Sequence, residues 1–360
     1  MRIAQVAPLY ESVPPKLYGG TERVVSYLTE ELVHQGHNVT LFATGDSVTN
    51  ARLVPLRPQA IRLDKGCVDQ LAHHVLMLER VFKEAGGFDV IHFHIDYLHF
   101  PLSRRHARPS VTTLHGRLDL PDLVPLYREY LEMPVVSISD SQRKPLPWLN
   151  WQGTIQHGLP RDLYHFHPKP GEYLAFLGRI SPEKGVDSAI EIAKRAGVEL
   201  RIAAKVDRVG EEYFQREIRP LLDHRLIQYI GEIADSEKDD FLGNALALVT
   251  PINWEEPFGL VMIEAMACGT PVIAFRRGSV PEVVDEGVSG RIVGGVDQAV
   301  QAVQGISRLS RKRCRQTFDQ RFTACRMAQD YVALYERLLD DSLGGDLSAG
   351  RMIWATTSSA

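Results

Sequence analysis

Hydrophobic and polar positions follow two alternating periods along most of the chain. A short apolar run from Arg2 to Ala7 reads as a strand, and after a loop Val24, Val25, Leu28 and Leu32 recur at the spacing that gathers them on one face of a helix. Gly36 ends that helix, and "NVTLFA" reads as the next strand. Further buried strands are expected at "DVIHFH", "SVTTLH" and "PVVSIS". Repeated strand and helix alternation predicts a parallel sheet with helices on both faces, whose ligand edge is the carboxyl end of the strands.

From Leu159 to Gly171 the pattern becomes irregular, with Pro160, His165, His167, Pro168 and Pro170, and then the alternation restarts. Strands are expected at "YLAFLG", "VELRIAA", "IQYIG", "LALVTP" and "PVIAF", each followed by a helical pattern or a turn. The fold class expected is therefore α/β, with two Rossmann-like, doubly wound domains facing each other across a ligand cleft. The divisions expected are 1–165, 166–323, a helix over 324–343 packing back toward the first domain, and a flexible tail over 344–360. That helix carries Met327, Tyr331, Leu334, Tyr335 and Leu338 at helical spacing.

Composition narrows the class without choosing a reaction. The 360 residues are 44% hydrophobic, 24% charged and 8% aromatic, which is ordinary for a globular protein, and length favours two domains. A net charge of -4 carries no bias toward nucleic acid, so no nucleic-acid partner is expected. Four cysteines, Cys67, Cys268, Cys314 and Cys325, are scattered without metal or redox spacing, which suits reduced thiols. Pro8 and Glu11 interrupt the first strand before a signal-peptide core could form, and no run approaches a membrane span, so a cytoplasmic location is expected. The basic runs Ser103 to Arg108 and Arg308 to Arg315 read as solvated faces, the first with a minority reading as a peripheral contact to an anionic membrane or an acidic acceptor.

The richest chemistry lies in "WEEPFGLVMIEAMACGTPVIAF", where Glu256 and Glu264 flank a Phe258-Gly259 turn. If a helix begins there, the amides of Gly259, Leu260 and Val261 point outward from its start and favour an anion. Carboxylates beside a phosphate make sense as hydroxyl ligands. Glu264 then suits a ribose and Glu256 a second polyhydroxylated group, against the plain alternative of two solvated glutamates near a helix start. In "LGRISPEKG", Arg179 and Lys184 sit either side of a loop at a strand's carboxyl end, where two fixed cations could stabilise a departing diphosphate without a metal. The plain alternative is a surface loop with ordinary charges.

Two weaker signals lie in the first domain. Gly19 and Gly20 in "YGGTERVV" precede a helix that Thr21 is expected to cap, and they let backbone amides approach a phosphate, although a simple strand-to-helix turn has the same look. The pair is no dinucleotide fingerprint. His92, His94, Asp96 and His115 fall at strand ends. His92 and His94 flank Phe93 and are expected on opposite sides of the sheet, unable to share a metal, with one of them a core histidine. His115, followed by Gly116, is the better functional candidate, as a neutral donor to a sugar hydroxyl or to developing charge.

Together, "KLYGGTERVV", "IQHGLPRDLYHFHP", "FLGRISPEKG", the Glu256 to Glu264 segment and "PEVVDEGVSGRIV" resemble the retaining glycosyltransferases of family 4, whose two-domain fold is termed GT-B. The resemblance covers nearly the whole chain. It implies an acceptor-side first domain and a nucleotide-sugar-binding second domain. Glu264 would hold the ribose, Glu256 the transferred sugar, and Arg179 and Lys184 the diphosphate. Gly19 and Gly20 would approach the diphosphate, and His115 would contact the donor sugar. Asp96, with His94 beside it, would lie near the acceptor, and the amides around Ile230 to Ile233 near the base. Lys205-Val206-Asp207 stands where the family usually has a glycine-rich turn, a departure that touches the base and phosphate contacts. The implied reaction is hexosyl transfer with retention from a nucleoside diphosphate sugar, UDP-glucose by default, to an acceptor hydroxyl, with no cofactor and no metal. An epimerase or phosphorylase on the same fold, or a non-catalytic sugar-binding protein, are the rival readings.

Overall fold

The computed structural model describes residues 1–16, 19–207 and 209–354, and over 343–354 the backbone alone. Among the described residues thirteen strands form two sheets. The first sheet contains β1 (Arg2–Val6), β2 (Asn38–Ala43), β3 (Arg52–Pro55), β4 (Val90–Phe93), β5 (Ser110–Thr113), β6 (Val135–Ser137) and β7 (Trp151–Thr154). The second contains β8 (Tyr173–Arg179), β9 (Glu199–Lys205), β10 (Ile227–Gly231), β11 (Ala245–Thr250), β12 (Val272–Phe275) and β13 (Gly290–Val293). Their orders are β3-β2-β1-β4-β5-β6-β7 and β10-β9-β8-β11-β12-β13, with parallel pairing throughout.

In each sheet the order reverses beside its first strand. The chain winds outward one way from β1 to β3 and then returns to place β4 on the other side of β1; the second sheet repeats this with β8 and β11. Such a reversal, at the carboxyl ends of β1 and β4 and of β8 and β11, is where open parallel sheets bind ligands.

Three strands had no clear sequence signal: β3, β7 and β13. Each lies at an edge of its sheet. An edge strand is covered on fewer sides, so "RLVP", "WQGT" and "GRIV" need no continuous apolar run.

The chain divides into two compact units: 1–138, 145–155 and 324–360 in one, 139–144 and 156–323 in the other. The crossing falls at 155/156 rather than 165/166. Leu159 is bridged to Thr323 and the His157 ring packs 4.9 Å from that of Phe258, which ties the start of the irregular stretch to the second unit. Helix Ala324–Trp354 belongs to the first unit, where it packs on helix Gly20–His34 and buries Met327, Tyr331, Leu334 and Tyr335. It runs on past 343, and residues 355–360 of the expected tail lie outside the described residues. In the first unit Val24, Val25, Leu28 and Leu32 are buried as their spacing predicted. The second unit's core joins Leu174, Phe176, Ile190, Ile202, Val249 and Ile273 from the sheet and the helix Val186–Ala196. Among the described residues no helix is long and apolar enough to cross a membrane.

Candidate active site

In the second unit the loops after β8 and β11 are bound to each other. Gly185 follows the short turn Pro182–Lys184 with φ 68°, and a Cβ there would lie 2.1 Å from the Pro251 carbonyl oxygen, so no other residue lets the two loops lie so close. The Asn253 amide donates to the Glu183 carbonyl at 2.8 Å. This brings Lys184 Nζ onto Glu256 Oε2 as a partly buried ion pair. Trp254 Nε1 donates to the same oxygen at 3.0 Å, and the Lys184 ammonium sits 5.2 Å from the Trp254 ring centroid.

Glu256 is held from behind by residues that carried no sequence signal. Gly278 has φ 51°, and a Cβ there would come within 2.4 Å of the Glu256 main-chain nitrogen and oxygen. The Gly278 amide donates to Glu255 Oε2 at 2.8 Å and the Ser279 amide to the Glu256 carbonyl at 3.0 Å. Ser279 Oγ donates to the Phe258 carbonyl at 2.7 Å, and Ser139 Oγ to that of Pro257 at 2.6 Å. The Glu255 to Phe258 turn is thus fixed by main-chain and hydroxyl contacts on both sides, which leaves its carboxylate direction little freedom.

Gly259 caps the following helix, Leu260–Cys268, in the left-handed region at φ 82°. A Cβ there would lie 2.7 Å from Met262 Cε. Gly259, Leu260 and Val261 form the open end of the helix, ahead of its hydrogen-bond ladder. Glu264, in the second turn, is only 4% exposed, and Lys238 Nζ from the helix Asp235–Gly243 approaches it at 3.6 Å while also bonding Asp235 at 2.9 Å. Ile233 lies half-buried between β10 and that helix. Arg179, the last residue of β8, pairs with Asp207 at 3.3 Å and approaches Glu183 at 3.9 Å. The Gly210 amide, at 2.8 Å, and Arg179 hold the Asp207 carboxyl below its usual range. Within Lys205-Val206-Asp207, the departure from the family's glycine-rich turn, the acid Asp207 pairs with the Arg179 guanidinium. Trp254, Gly278, Ser279 and Lys238 were not singled out from sequence, and Asp207 was noted only as part of a departure from the family pattern; a Gly-Ser pair just after a buried strand is the one signal that could have marked two of them.

The first unit places its candidates at the ends of β1, β4 and β5. Gly19 is the N-cap of helix Gly20–His34, and its cap site has no side-chain hydrogen bond, so Thr21 does not cap; it lies inside the first turn. Gly19 has extended backbone, and its glycine requirement is crowding: a Cβ would meet Pro15, Glu22 and Glu11 at 2.9 to 3.2 Å. Both Glu11 and Glu22 are buried, and burial pushes the Glu22 carboxyl above its ordinary value. Asp96 has φ 51°, a left-handed conformation that costs a side chain of the L series.

The expectation that His92 and His94 face opposite sides is wrong. Residues two apart on a strand share a face, and their rings lie 4.0 Å apart between centroids. Both are buried, and His94 Nδ1 lies 2.9 Å from His115 Nε2. Desolvation lowers His115 to about 3 and His92 well below its ordinary value, so both rings stay neutral. Among the described residues no group of three or more His, Cys, Asp or Glu side chains could hold a metal ion.

Fold and site together define a two-unit α/β protein that gathers Arg179, Lys184, Glu256 and Glu264 in the segments following β8 and β11 of its second sheet. Two family models match, Glycosyltransferase Family 4 over residues 18–153 and Glycosyl transferases group 1 over residues 164–322, and between them they span most of the chain. The chain belongs to this group of glycosyltransferases and has the GT-B fold. It is similar to the phosphatidyl-myo-inositol mannosyltransferase of Mycolicibacterium smegmatis, 27% identical over 332 residues covering 81% of each chain. It is also similar to the glycogen synthase of Mycobacterium tuberculosis, 26% identical over 398 residues covering 92% of this chain and 95% of the relative. Among solved structures, Anabaena HepE in complex with UDP superposes with a TM-score of 0.73 at 17% identity, covering 94% of this chain and 100% of HepE.

Proposed function

We propose that this glycosyltransferase moves a hexosyl group, with retention at the anomeric carbon, from a nucleoside diphosphate sugar to an acceptor hydroxyl. The observation that carries the reading is the Lys184–Glu256 pair at the second sheet's switch point, backed by Arg179 and by Glu264 on the adjoining helix. The anomeric carbon to phosphate-oxygen bond breaks, the acceptor oxygen bonds that carbon, and the acceptor's proton leaves on the released diphosphate. Arg179 and Lys184 stabilise the growing negative charge on the leaving group. Glu256 bonds hydroxyls of the transferred sugar, Glu264 bonds the ribose, and the amides of Gly259, Leu260 and Val261 face phosphate oxygen. Ile233 lies near the base. Gly19 and Gly20 serve the diphosphate from the first unit, which takes the acceptor side with Asp96 and His94, and His115 is a neutral partner for a sugar hydroxyl.

Fixed cations make a divalent ion and any other cofactor unnecessary in this reading. UDP is assigned as the nucleotide, in keeping with the UDP held by HepE, and glucose as the sugar. A thermal-shift panel of nucleoside diphosphates and their sugars tests this, because a ligand that binds only the folded chain raises its apparent stability. UDP and UDP-glucose are expected to give the largest shifts, and an α-linked product from UDP-α-glucose is expected by NMR. A larger shift with a guanine or adenine nucleotide, or a β-linked product, overturns the respective assignment.

A further inference from the structure

A continuous chain of hydrogen bonds runs through the interior of the first unit. His115 Nε2 lies 2.9 Å from His94 Nδ1, and His94 Nε2 lies 2.8 Å from Gln5 Oε1. Gln5 Nε2 lies 3.2 Å from the Tyr335 hydroxyl, which is 2.7 Å from His92 Nδ1. His92 Nε2 is 2.8 Å from Thr113 Oγ1, and Thr113 Oγ1 is 2.8 Å from the Tyr331 hydroxyl. Gln5, His92, Thr113 and Tyr335 are fully buried, so no water can substitute for a missing partner.

The distances assign a direction to the bonds on either side of Gln5. A carboxamide oxygen only accepts and its nitrogen only donates, so the orientation of Gln5 decides which nitrogen of His94 carries hydrogen. With Oε1 toward His94, the 2.8 Å contact is an ordinary N–H to oxygen bond and the 3.2 Å contact to Tyr335 an ordinary N–H to hydroxyl bond. Turned around, 3.2 Å would be long for a hydroxyl to oxygen bond. With the buried His94 ring neutral, its Nε2–H donates to Gln5, its Nδ1 accepts from His115 Nε2–H, and the lone pair of His115 is left on Nδ1. At the other end Tyr335 accepts from Gln5 and donates to His92 Nδ1.

We propose that Gln5 and Tyr335 are positioning residues: through His94 they hold His115 as the Nε2–H tautomer, so that it meets a sugar hydroxyl as a hydrogen-bond acceptor through Nδ1. This rests on the reading that His115 contacts a sugar, and it reverses the donor role that the residue's type suggested. The chain is not a proton path, because it ends at Tyr331, which is 1% exposed. It also gives the C-terminal helix a task, since Tyr331 and Tyr335 enter the first unit's core from there.

The test reads tautomers directly in the ligand-free, full-length protein, by long-range proton–nitrogen correlation spectra with labelled histidine. Wild type is expected to show His94 and His115 with the proton on Nε2; a proton on His115 Nδ1 overturns the proposal. Tyr335→Phe keeps the ring and is expected to take His115 out of the single Nε2–H state, whereas an unchanged His115 pattern overturns it. Should that variant not fold, Gln5→Glu, read near about pH 9 so that imidazoles are neutral, is expected to turn His92 to its Nδ1–H form and spare His115. An unchanged His92 overturns the direction assigned.

A kinetic cycle then asks whether Tyr335 acts through His115. Tyr335→Phe is expected to lower kcat by up to about tenfold, the loss of one neutral hydrogen bond, and to cost nothing further in a His115→Ala background. Additive losses overturn the coupling. If no transferase activity exists at all, the spectra still decide the tautomer, so failure of the functional reading and failure of this inference are told apart.

Discussion

Lys184 Nζ bonds Glu256 Oε2 across 72 residues of sequence, and the two side chains are 18% and 13% exposed. The pair joins the group assigned to the diphosphate to the group assigned to the transferred sugar. A donor that engages both must share the ammonium between carboxylate and phosphate. Removing the carboxylate and keeping its shape should therefore free Lys184 for phosphate. Glu256→Gln is expected to leave the UDP dissociation constant unchanged or tighter, while transfer falls by roughly tenfold or more, as for the loss of a charge-assisted contact of about 1.5–3 kcal/mol. Calorimetric titration of UDP beside steady-state turnover checks this, and a large loss of UDP affinity would contradict it.

Glu264 and Lys184 should separate in their kinetics. Glu264→Ala removes a buried carboxylate and the partner of Lys238, and is expected to weaken nucleotide binding by about 1.5–3 kcal/mol. Lys184→Ala is expected to act mainly on kcat. Equilibrium binding and single-turnover rates in the two variants would distinguish them, and unchanged turnover in both would sink the site assignment.

Gly278→Ala touches no substrate in this scheme, yet it should disturb the site. Its φ of 51° disfavours a side chain, and the added carbon would press on the Glu256 backbone. A loss of about 1–3 kcal/mol in unfolding free energy is expected, together with reduced turnover. Gly87→Ala, where an added carbon meets nothing within 4 Å, is the control and should be near neutral. Urea unfolding curves of both variants give the comparison.

Acid should destabilise the chain from near neutrality. Burial lowers His92 and His99 well below the ordinary 6.5 and His74 below it, so the folded rings stay neutral while unfolded ones take up protons. The unfolded state then binds more protons, and stability falls as pH drops below about 6.5, by about 1.4 kcal/mol per pH unit for each such histidine. The urea midpoint is expected to fall between pH 7 and about 5. A flat profile over that range would refute the neutral, buried assignment.

Activity is expected to survive chelation, because Arg179 and Lys184 are assigned the work of a metal at the diphosphate. Turnover measured in excess EDTA should match the untreated enzyme; complete loss, restored by magnesium or manganese, would reverse this proposal.

Much of the architecture could be read from local pattern. The ten strands found by periodicity include all those that flank the two switch points, since central parallel strands must be apolar on both faces. The three that escaped are edge strands, where burial no longer dictates the residues. In the site, Arg179, Lys184, Glu256 and Glu264 stood out because a strand end or helix start makes a charged residue informative. Their supports did not. Gly278 and Ser279 hold the Glu256 turn and Lys238 meets Glu264, yet each is an ordinary residue in its own neighbourhood, and Asp207 was visible only as a departure from a family pattern, not as the partner of Arg179. The error over His92 and His94 was of another kind: the period of a strand already places them together, and their 4.0 Å ring separation is what that period requires.

The sequence by itself determined two doubly wound parallel sheets and the ends at which their chemistry gathers, because burial acts on every turn of helix and strand and leaves its period in the chain. Only the tertiary structure decided that Lys184 pairs with Glu256, that Asp207 takes Arg179, and that Tyr335 reaches through Gln5 and His94 toward His115. Such contacts join residues far apart in the chain at distances near 3 Å, where the orientation of one amide or hydroxyl settles the bond. No local period records that orientation.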